Sequence, residues 1–360
     1  MRATTQGGAL LAAAQLAARV AGPGGAAIGH VLIEACDGDI ELSLTSTDYE
    51  RSARSTVDAE IQEHGAAAVD AAKLAAICGV LGAGPVTLST SGGSMVLQAT
   101  GARFALPLYG ENVPVPSPDA FDLGDAVDVV DGPRLAAMLS TAAQFASVDQ
   151  ISRPAINAVC VRNGKVMATD VRRAMIGVLG DLQLPNLLIP LASVEVLARE
   201  IGARRVEDVG LAVVGRNVAF AIGRARIVCR HSDLSFPAVE EIYKQIQDGG
   251  NVGDLDAKAL LAALKIASVC SADETRIQLI SDAAGLRVES ENVATTTRAT
   301  VDCGQSLFAA PISIALSSTL LRTALAACGP ASTIRIHGAL MPVLVESASY
   351  RFILMPMRAN

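Results

Sequence analysis

Thr169-Asp170-Val171-Arg172-Arg173 is the densest polar cluster of the chain and sets one carboxylate beside two guanidiniums. A general base needs a second titratable group placed to share its work, and none stands at a matching position nearby. These residue types fit a turn better, with Asp170 ending a strand and hydrogen-bonding the local backbone while the arginines face water. Other candidate chemistry is thin. The four histidines, His30, His64, His231 and His337, never pair at zinc-ligand spacing with one another or with cysteine. No phosphate-binding Gly-x-x-x-x-Gly-Lys-Ser/Thr and no Gly-x-Ser-x-Gly elbow occurs; Gly164-Lys165 sits in a hairpin signal where a lysine is solvated, and the stretch from Gly22 to Gly25 reads as a turn. Cysteines 36, 78, 160, 229, 270, 303 and 328 are scattered and odd in number, as expected of small buried hydrophobes in a reducing cytoplasm. An enzyme built on Asp170 or a histidine remains an alternative, but a non-catalytic protein fits better.

The elements that carry these residues repeat. Three segments share one grammar, an Ala/Leu-rich helix, a strand, a Gly-containing turn, a second strand and a polar pair. They run from His30 to Asp48 with Asp37-Gly38 at the turn, from Ile156 to Asp170 with Asn163-Gly164, and from Ile277 to Asn292. Asp48, Asp170 and Asn292 fall at equal 122-residue intervals, so three copies of one α+β domain are expected. The Pro- and Asp-rich stretch from Val113 to Asp128 and the stretch from Gln247 to Asn251 read as connections, which gives domains 1–124, 125–249 and 250–360. Two helices are expected in each, about 9–20 and 67–80, 133–146 and 192–203, 256–269 and 314–327.

These helices carry isolated cations, Arg19, Lys73, Arg134, Arg199, Lys258, Lys265 and Arg322, and few carboxylates beyond Glu195 and Glu200. One cation on an amphipathic helix is usually its solvated face; recurrence on three domains is what a positively lined surface requires. The whole chain is acidic, with net charge −7 and pI near 5.2, which would argue against nucleic acid unless a closed ring hides a basic inner wall. Aromatics at 3% and no Trp make base stacking an improbable readout. Hydrophobic residues make up 51% and mean hydropathy is +0.40, yet no run is long enough to span a membrane, and the stretch from Ala9 to Arg19 reads as the first helix rather than a leader. At the other end, the apolar strand from Tyr350 runs into Met355-Pro356-Met357-Arg358. Two flexible thioethers beside a stiff proline are either packed into their own domain or form one wall of an adaptable groove.

Four segments in order are similar to motifs of the bacterial DNA polymerase III beta subunits, the sliding clamps. They are Phe145 to Val159, Ala168 to Ala174, Ser235 to Ile242, and Leu354-Met355-Pro356-Met357-Arg358. The resemblance covers nearly the whole chain. It implies an α+β fold of three clamp domains and a non-catalytic processivity subunit without cofactor or metal. It further implies a head-to-tail homodimer ring with helices lining the channel and sheets outside. Duplex DNA would pass through independent of sequence, a clamp loader would open the ring, and the DNA polymerase III catalytic subunit and other clamp-binding-motif proteins would dock on it, in the cytoplasm and away from any membrane. In that reading Lys73 matches a basic channel position, and the other helix cations follow by the repeat.

The resemblance places a peptide groove at Ile156, Thr169, Val171, Arg172, Arg173, Ala174, Pro237, Ile242, Ile353, Leu354, Met355, Pro356, Met357 and Arg358, and a dimer interface at Arg103, Phe104, Val269 and Cys270. Departures include Val171 in place of a glycine, Ala174 in place of a leucine, and Glu240-Glu241 where basic residues are common. The early Gly22 to Ala27 loop lacks an arginine, and Asn292 to Arg298 replaces an acidic run, which weakens charge steering across the seam. A specialised clamp paralogue that forms rings poorly and acts as a docking scaffold is the alternative.

Overall fold

The computed structural model describes residues 1–21, 28–35, 40–110, 121–122, 128–180, 185–270, 276–292, 297–304 and 308–357. The expected turns at Gly22 to Gly25 and at Asp37-Gly38, most of the first connection, and Arg358 lie outside the described residues.

The chain runs through the same element order three times. The first run is β1 (Arg2–Gln6), α1 (Gly7–Ala21), β2 (His30–Ala35), β3 (Glu41–Thr47), β4 (Arg51–Glu63), β5 (Gly65–Asp70), α2 (Ala71–Leu81), β6 (Pro85–Ser91), β7 (Ser94–Ala99) and β8 (Ala102–Pro107). The second is β9 (Asp128–Asp131), α3 (Gly132–Phe145), β10 (Ala158–Arg162), β11 (Lys165–Thr169), β12 (Arg173–Val178), β13 (Leu187–Pro190), α4 (Leu191–Arg204), β14 (Asp208–Val214), β15 (Asn217–Ile222) and β16 (Ala225–Arg230). After α5 (Val239–Ile246) comes the third: β17 (Asn251–Asp256), α6 (Ala257–Ala267), β18 (Arg276–Asp282), β19 (Gly285–Asn292), β20 (Thr297–Asp302), β21 (Ile312–Ser317), α7 (Ser318–Cys328), β22 (Ala331–Ile336), β23 (Val343–Glu346) and β24 (Tyr350–Leu354).

Among the described residues, six of the seven α-helices match the expected ones, with two boundary differences. Residues 65–70 and 312–317 are strands, because β5 pairs with β2 and β21 with β18. Asp70 and Ser317 then cap the helices, accepting from the Lys73 and Leu320 amides. Ala-rich or aliphatic runs ahead of a cap read as helix in sequence, yet pairing decides them. The helix α5 has no counterpart among the expected elements.

The chain divides into two compact units, residues 1–137 with 192–232, and residues 138–191 with 233–360. The first holds a 12-stranded antiparallel sheet with β8 and β9 at the ends of its path. Leu10, Ala13, Ala14 and Ala17 of α1 and Leu74 and Cys78 of α2 pack on Ile33, Leu42, Leu44, Val57, Leu88 and Leu97. Alanine where helix meets sheet lets the two lie close together, so small side chains suffice for a dry core. The second unit holds an eight-stranded sheet, β13-β10-β11-β12-β24-β23-β22-β17, and a four-stranded sheet, β20-β19-β18-β21. There α5 covers one face, with Val239 and Ile246 buried among Cys160, Met167, Ala174, Ile176, Leu344 and Ile353. Burial keeps the thiols of Cys78 and Cys160 protonated, at about 11, and that of Cys229 at about 12. Cys303 and Cys328 are only half-buried, unlike the expectation for the whole set, while Cys36 and the Cys270 side chain lie outside the description.

Candidate peptide groove and cationic helices

The Thr-Asp-x-x-Arg cluster is a turn, and it is built twice. Asp170 Oδ1 accepts from the amides of Arg172 (3.0 Å) and Arg173 (3.1 Å), its amide donates to the Arg173 carbonyl, and Oδ2 lies 2.8 Å from Arg173 Nε. Thr169 Oγ1 donates to the Arg173 carbonyl and accepts from the Val171 amide. Thr47, Asp48, Tyr49 and Arg51 repeat these interactions, with Asp48 accepting from Glu50 and Arg51 and pairing with the Arg51 guanidinium. The carboxylates are therefore occupied by their turns, as expected, but the arginines do not both face water. Arg172 is exposed, whereas Arg173 is held against Asp170 with its guanidinium 5.6 Å from the Phe145 ring centroid. Asn292 does not make the same turn, since β19 runs through it and its register partner is Thr297 rather than a residue three further on.

Of the groove residues, Ile156, Thr169, Ala174, Ile353 and Leu354 are buried and form floor rather than wall. Arg173 pairs with Leu354 and Ala174 with Ile353 across β12 and β24. The tail beyond β24 is pinned at two points, the Met355 amide donating to the Arg172 carbonyl (3.0 Å) and the Met357 amide to the Ala315 carbonyl (2.8 Å). Val171, Arg172, Pro237, Ile242 and Met355 are exposed, and Pro356 and Met357 half-buried. Exposed apolar side chains on fixed backbone are what a short apolar peptide anchor needs.

Glu240 is turned away from solvent chemistry. It accepts from Lys165 Nζ (2.5 Å) and Arg162 Nη2 (2.6 Å), so Lys165 is not merely solvated. The Lys165 hydrogen bond does most to hold the Glu240 carboxyl below its ordinary value, with burial opposing and Arg162 adding. This depressed group contributes stability above its unfolded value and loses it as pH falls through the folded one. Sequence reasoning missed α5 and the residues it seats, Phe236, Val239, Tyr243 and Ile246. The spacing of Val239, Ile242, Tyr243 and Ile246 was the available signal.

Six of the seven helix cations, Lys73, Arg134, Arg199, Lys258, Lys265 and Arg322, are exposed. Lys73, Arg134 and Lys258 stand in the first turns of α2, α3 and α6, where Asp70, Asp131 and Asp256 accept their amides. The positive end of each helix there adds to the side-chain charge. Arg19 differs. It is ion-paired to Glu200, which is buried and also held by Arg204 at 3.3 Å. A carboxylate taken out of water needs its partners, so Arg19 is committed to the fold.

At the interface positions Arg103 is exposed, Phe104 half-buried and Val269 82% exposed. Val80 of α2 (73% exposed) and Ile266 of α6 are also uncovered, and were not among the expected residues. Both helices touch an end strand, α2 meeting β8 and α6 meeting β20. Large aliphatics exposed near a helix C-terminus were the missed signal.

Residues 25–114 match the family model for the DNA polymerase III beta subunit, N-terminal domain. A Beta sliding clamp of Streptomyces coelicolor is 40% identical over 95 residues, which is 26% of this chain, and the match spans about a quarter (24%) of that relative's length. Over the full length of both chains, the fold matches the DNA polymerase sliding clamp of Caulobacter crescentus with TM-score 0.83 at 22% identity. That of Bacillus subtilis gives 0.84 at 18%, also covering both chains fully. Residues 25–114 thus match the N-terminal domain of that family, and the chain as a whole has the fold of the sliding clamps.

One departure from the pattern that the resemblance implies is legible in the fold. Val171 stands at φ 78° and is 59% exposed, and its counterpart in the first turn, Tyr49, stands at φ 71°. A β-branched residue in the left-handed region carries strain of about 1–3 kcal/mol. Glycine removes that strain at an entropic cost of about 0.5–1 kcal/mol. Val171→Gly is therefore expected to raise the unfolding free energy by about 1 kcal/mol, read as a higher urea midpoint at unchanged slope.

Proposed function

We propose that the protein is a beta sliding clamp, a head-to-tail homodimeric ring that encircles duplex DNA and tethers DNA polymerase III and other peptide-bearing proteins for processive replication. One feature of the sheet topology carries this reading. The fourth strand of the first run, β4, pairs with the last strand of the second, β16; the fourth of the second, β12, pairs with the last of the third, β24. The register is the same in both, Arg51 opposite Cys229 and Arg173 opposite Leu354. The third such pair would join β20 and β8, and each of these is the end strand of its own sheet. An unpaired edge is a template for another chain, so β20 of one copy and β8 of the next complete the series.

Two copies then give six repeats in a ring, with domains near 1–124, 125–249 and 250–360, the six exposed cations directed at the DNA, and a loader needed to part a seam. Slight affinity at each phosphate suits this task, since topology retains the DNA and tight binding would stall sliding. Charge contributes little to the seam, because Arg298 pairs with Glu291 of its own chain at 2.7 Å. Closure rests on backbone pairing and on Phe104, Val80, Ile266 and Val269. Non-catalytic action in the cytoplasm accompanies this reading.

Light scattering at micromolar concentration tests it. The expected mass is about 74 kDa, twice 36.9 kDa, falling to the single-chain value for Ala105→Pro, which removes a hydrogen-bond donor from β8. A wild-type monomer would instead favour the docking-scaffold reading.

A further inference from the structure

The sheet face that α5 covers in the second unit has a counterpart in the first, built from different residues. The β3–β4 and β11–β12 hairpins share register at an offset of 122, so Thr45, Ser52 and Arg54 stand where Met167, Ala174 and Ile176 lie under α5. On the neighbouring strand Val228 and Arg226 stand where Ile353 and Arg351 do. In the second unit the part of this surface under α5 is largely apolar and its cations have partners: Arg162 and Lys165 bind Glu240 of α5, Arg335 lies 3.8 Å from Glu346, and Arg351 lies 5.4 Å from the ring centroid of Tyr243 on α5. In the first unit Phe121 packs on Ala219 and Val228, the counterparts of Leu344 and Ile353. Beside it Arg54 and Arg226 stand directly opposite one another on β4 and β16.

Directly opposed residues have Cβ atoms about 5 Å apart, and like charges so placed repel. Nothing described offsets them. The Arg54 Nε is closed off from solvent and makes no hydrogen bond, and no carboxylate among the described residues meets its guanidinium. Among the described residues Arg226 donates only to the backbone carbonyls of Gly223 (2.9 Å) and Ala225 (3.1 Å). Three carboxylates of the same face are engaged elsewhere. Glu41 and Asp58 lie 3.1 and 2.5 Å from Arg224, and Glu34 accepts from Ser43 two strands away. Thr45 and Thr56 flank Arg54 with hydroxyl groups.

We propose that Arg54 and Arg226 form a binding site for a single small oxyanion, either free phosphate or the carboxylate of a bound peptide. Two half-buried guanidiniums present their planar donor forks to one acceptor group, which relieves their repulsion and supplies the missing hydrogen-bond acceptors. A long polyanion is disfavoured at this face, because the chain carries net charge −7. The site lies within the first unit, and it does not depend on ring closure.

The test titrates inorganic phosphate, and separately acetate, into the full chain at constant ionic strength while the Arg Nε–H resonances are followed by NMR. The Arg54 signal is expected to shift saturably with a midpoint on the order of millimolar, and Arg226→Gln to weaken that binding at least about tenfold. Arg230→Gln, an exposed cation of the same unit, leaves it unchanged. Response to phosphate alone identifies a phosphate site, and response to acetate alone or to both identifies one that accepts a carboxylate. A shift no larger than chloride produces, or one that survives in both Arg54→Gln (followed at Arg226) and Arg226→Gln, overturns the proposal. Unfolding temperature in phosphate against chloride gives a second readout, with the phosphate-dependent rise expected in wild type and absent from both variants.

Discussion

Removing residues 355–360 is expected to abolish binding of clamp-motif peptides while leaving the dimer intact. The deleted segment supplies the exposed Met355 and the half-buried Pro356 and Met357, and with them two backbone hydrogen bonds that hold this wall against the Arg172 carbonyl and against Ala315. Few residues dominate a small interface, so losing a central wall should cost at least about 3 kcal/mol, or more than about a hundredfold in Kd. The fold should survive, because β24 ends at Leu354 and its pairing with β12 and β23 lies upstream of the cut. Fluorescence anisotropy with a labelled apolar peptide reads the first effect and light scattering the second. Retained peptide affinity would remove the groove from this surface. Loss of the dimer as well would mean that the tail serves packing, the other reading its composition allowed.

Reversing the charge of Lys73, Arg134, Arg199, Lys258 and Arg322 together should reduce the lifetime of the protein on circular DNA by more than about tenfold at physiological salt. For every phosphate that no longer meets a cation, the logarithmic slope of binding against salt should also fall by about 0.9. Their exposure, and the helix N-termini beneath Lys73, Arg134 and Lys258, make these side chains the available source of positive field. Arg19 supplies the contrast. Because it neutralises buried Glu200, Arg19→Gln should reduce stability and leave the salt slope unchanged. Unaltered retention of the five-site variant at low salt would contradict the assignment of these helices to the DNA.

The helices were legible because Ala/Leu periodicity persists over whole elements, and the turns because Asn163-Gly164 and Thr169-Asp170 specify local geometry that tertiary structure leaves alone. Strands β5 and β21 were not, since the run Ala66-Ala67-Ala68 has no strand signature apart from its partner. The pairing of β4 with β16 and β12 with β24 joins residues 170 or more positions apart, which no local pattern encodes. That pairing also explains why three repeats give two compact units. In the groove, residue identity was readable and burial was not. Ala174 and Ile353 looked like lining but are roofed by α5, a helix of only eight residues whose amphipathic pattern is short. Arg173 and Glu240 show the same limit for charge, as sequence gives the sign while the fold decides whether water or a partner receives it.

Encirclement is the claim on which the functional account depends, and retention on closed against linearised DNA measures it most directly. Once loaded, the protein should remain on a closed circle through gel filtration and leave when a single restriction cut opens an end. Equal dissociation from the circle and the cut molecule, whether fast from both or slow from both, would show that it holds DNA by surface affinity or not at all, and would contradict a ring.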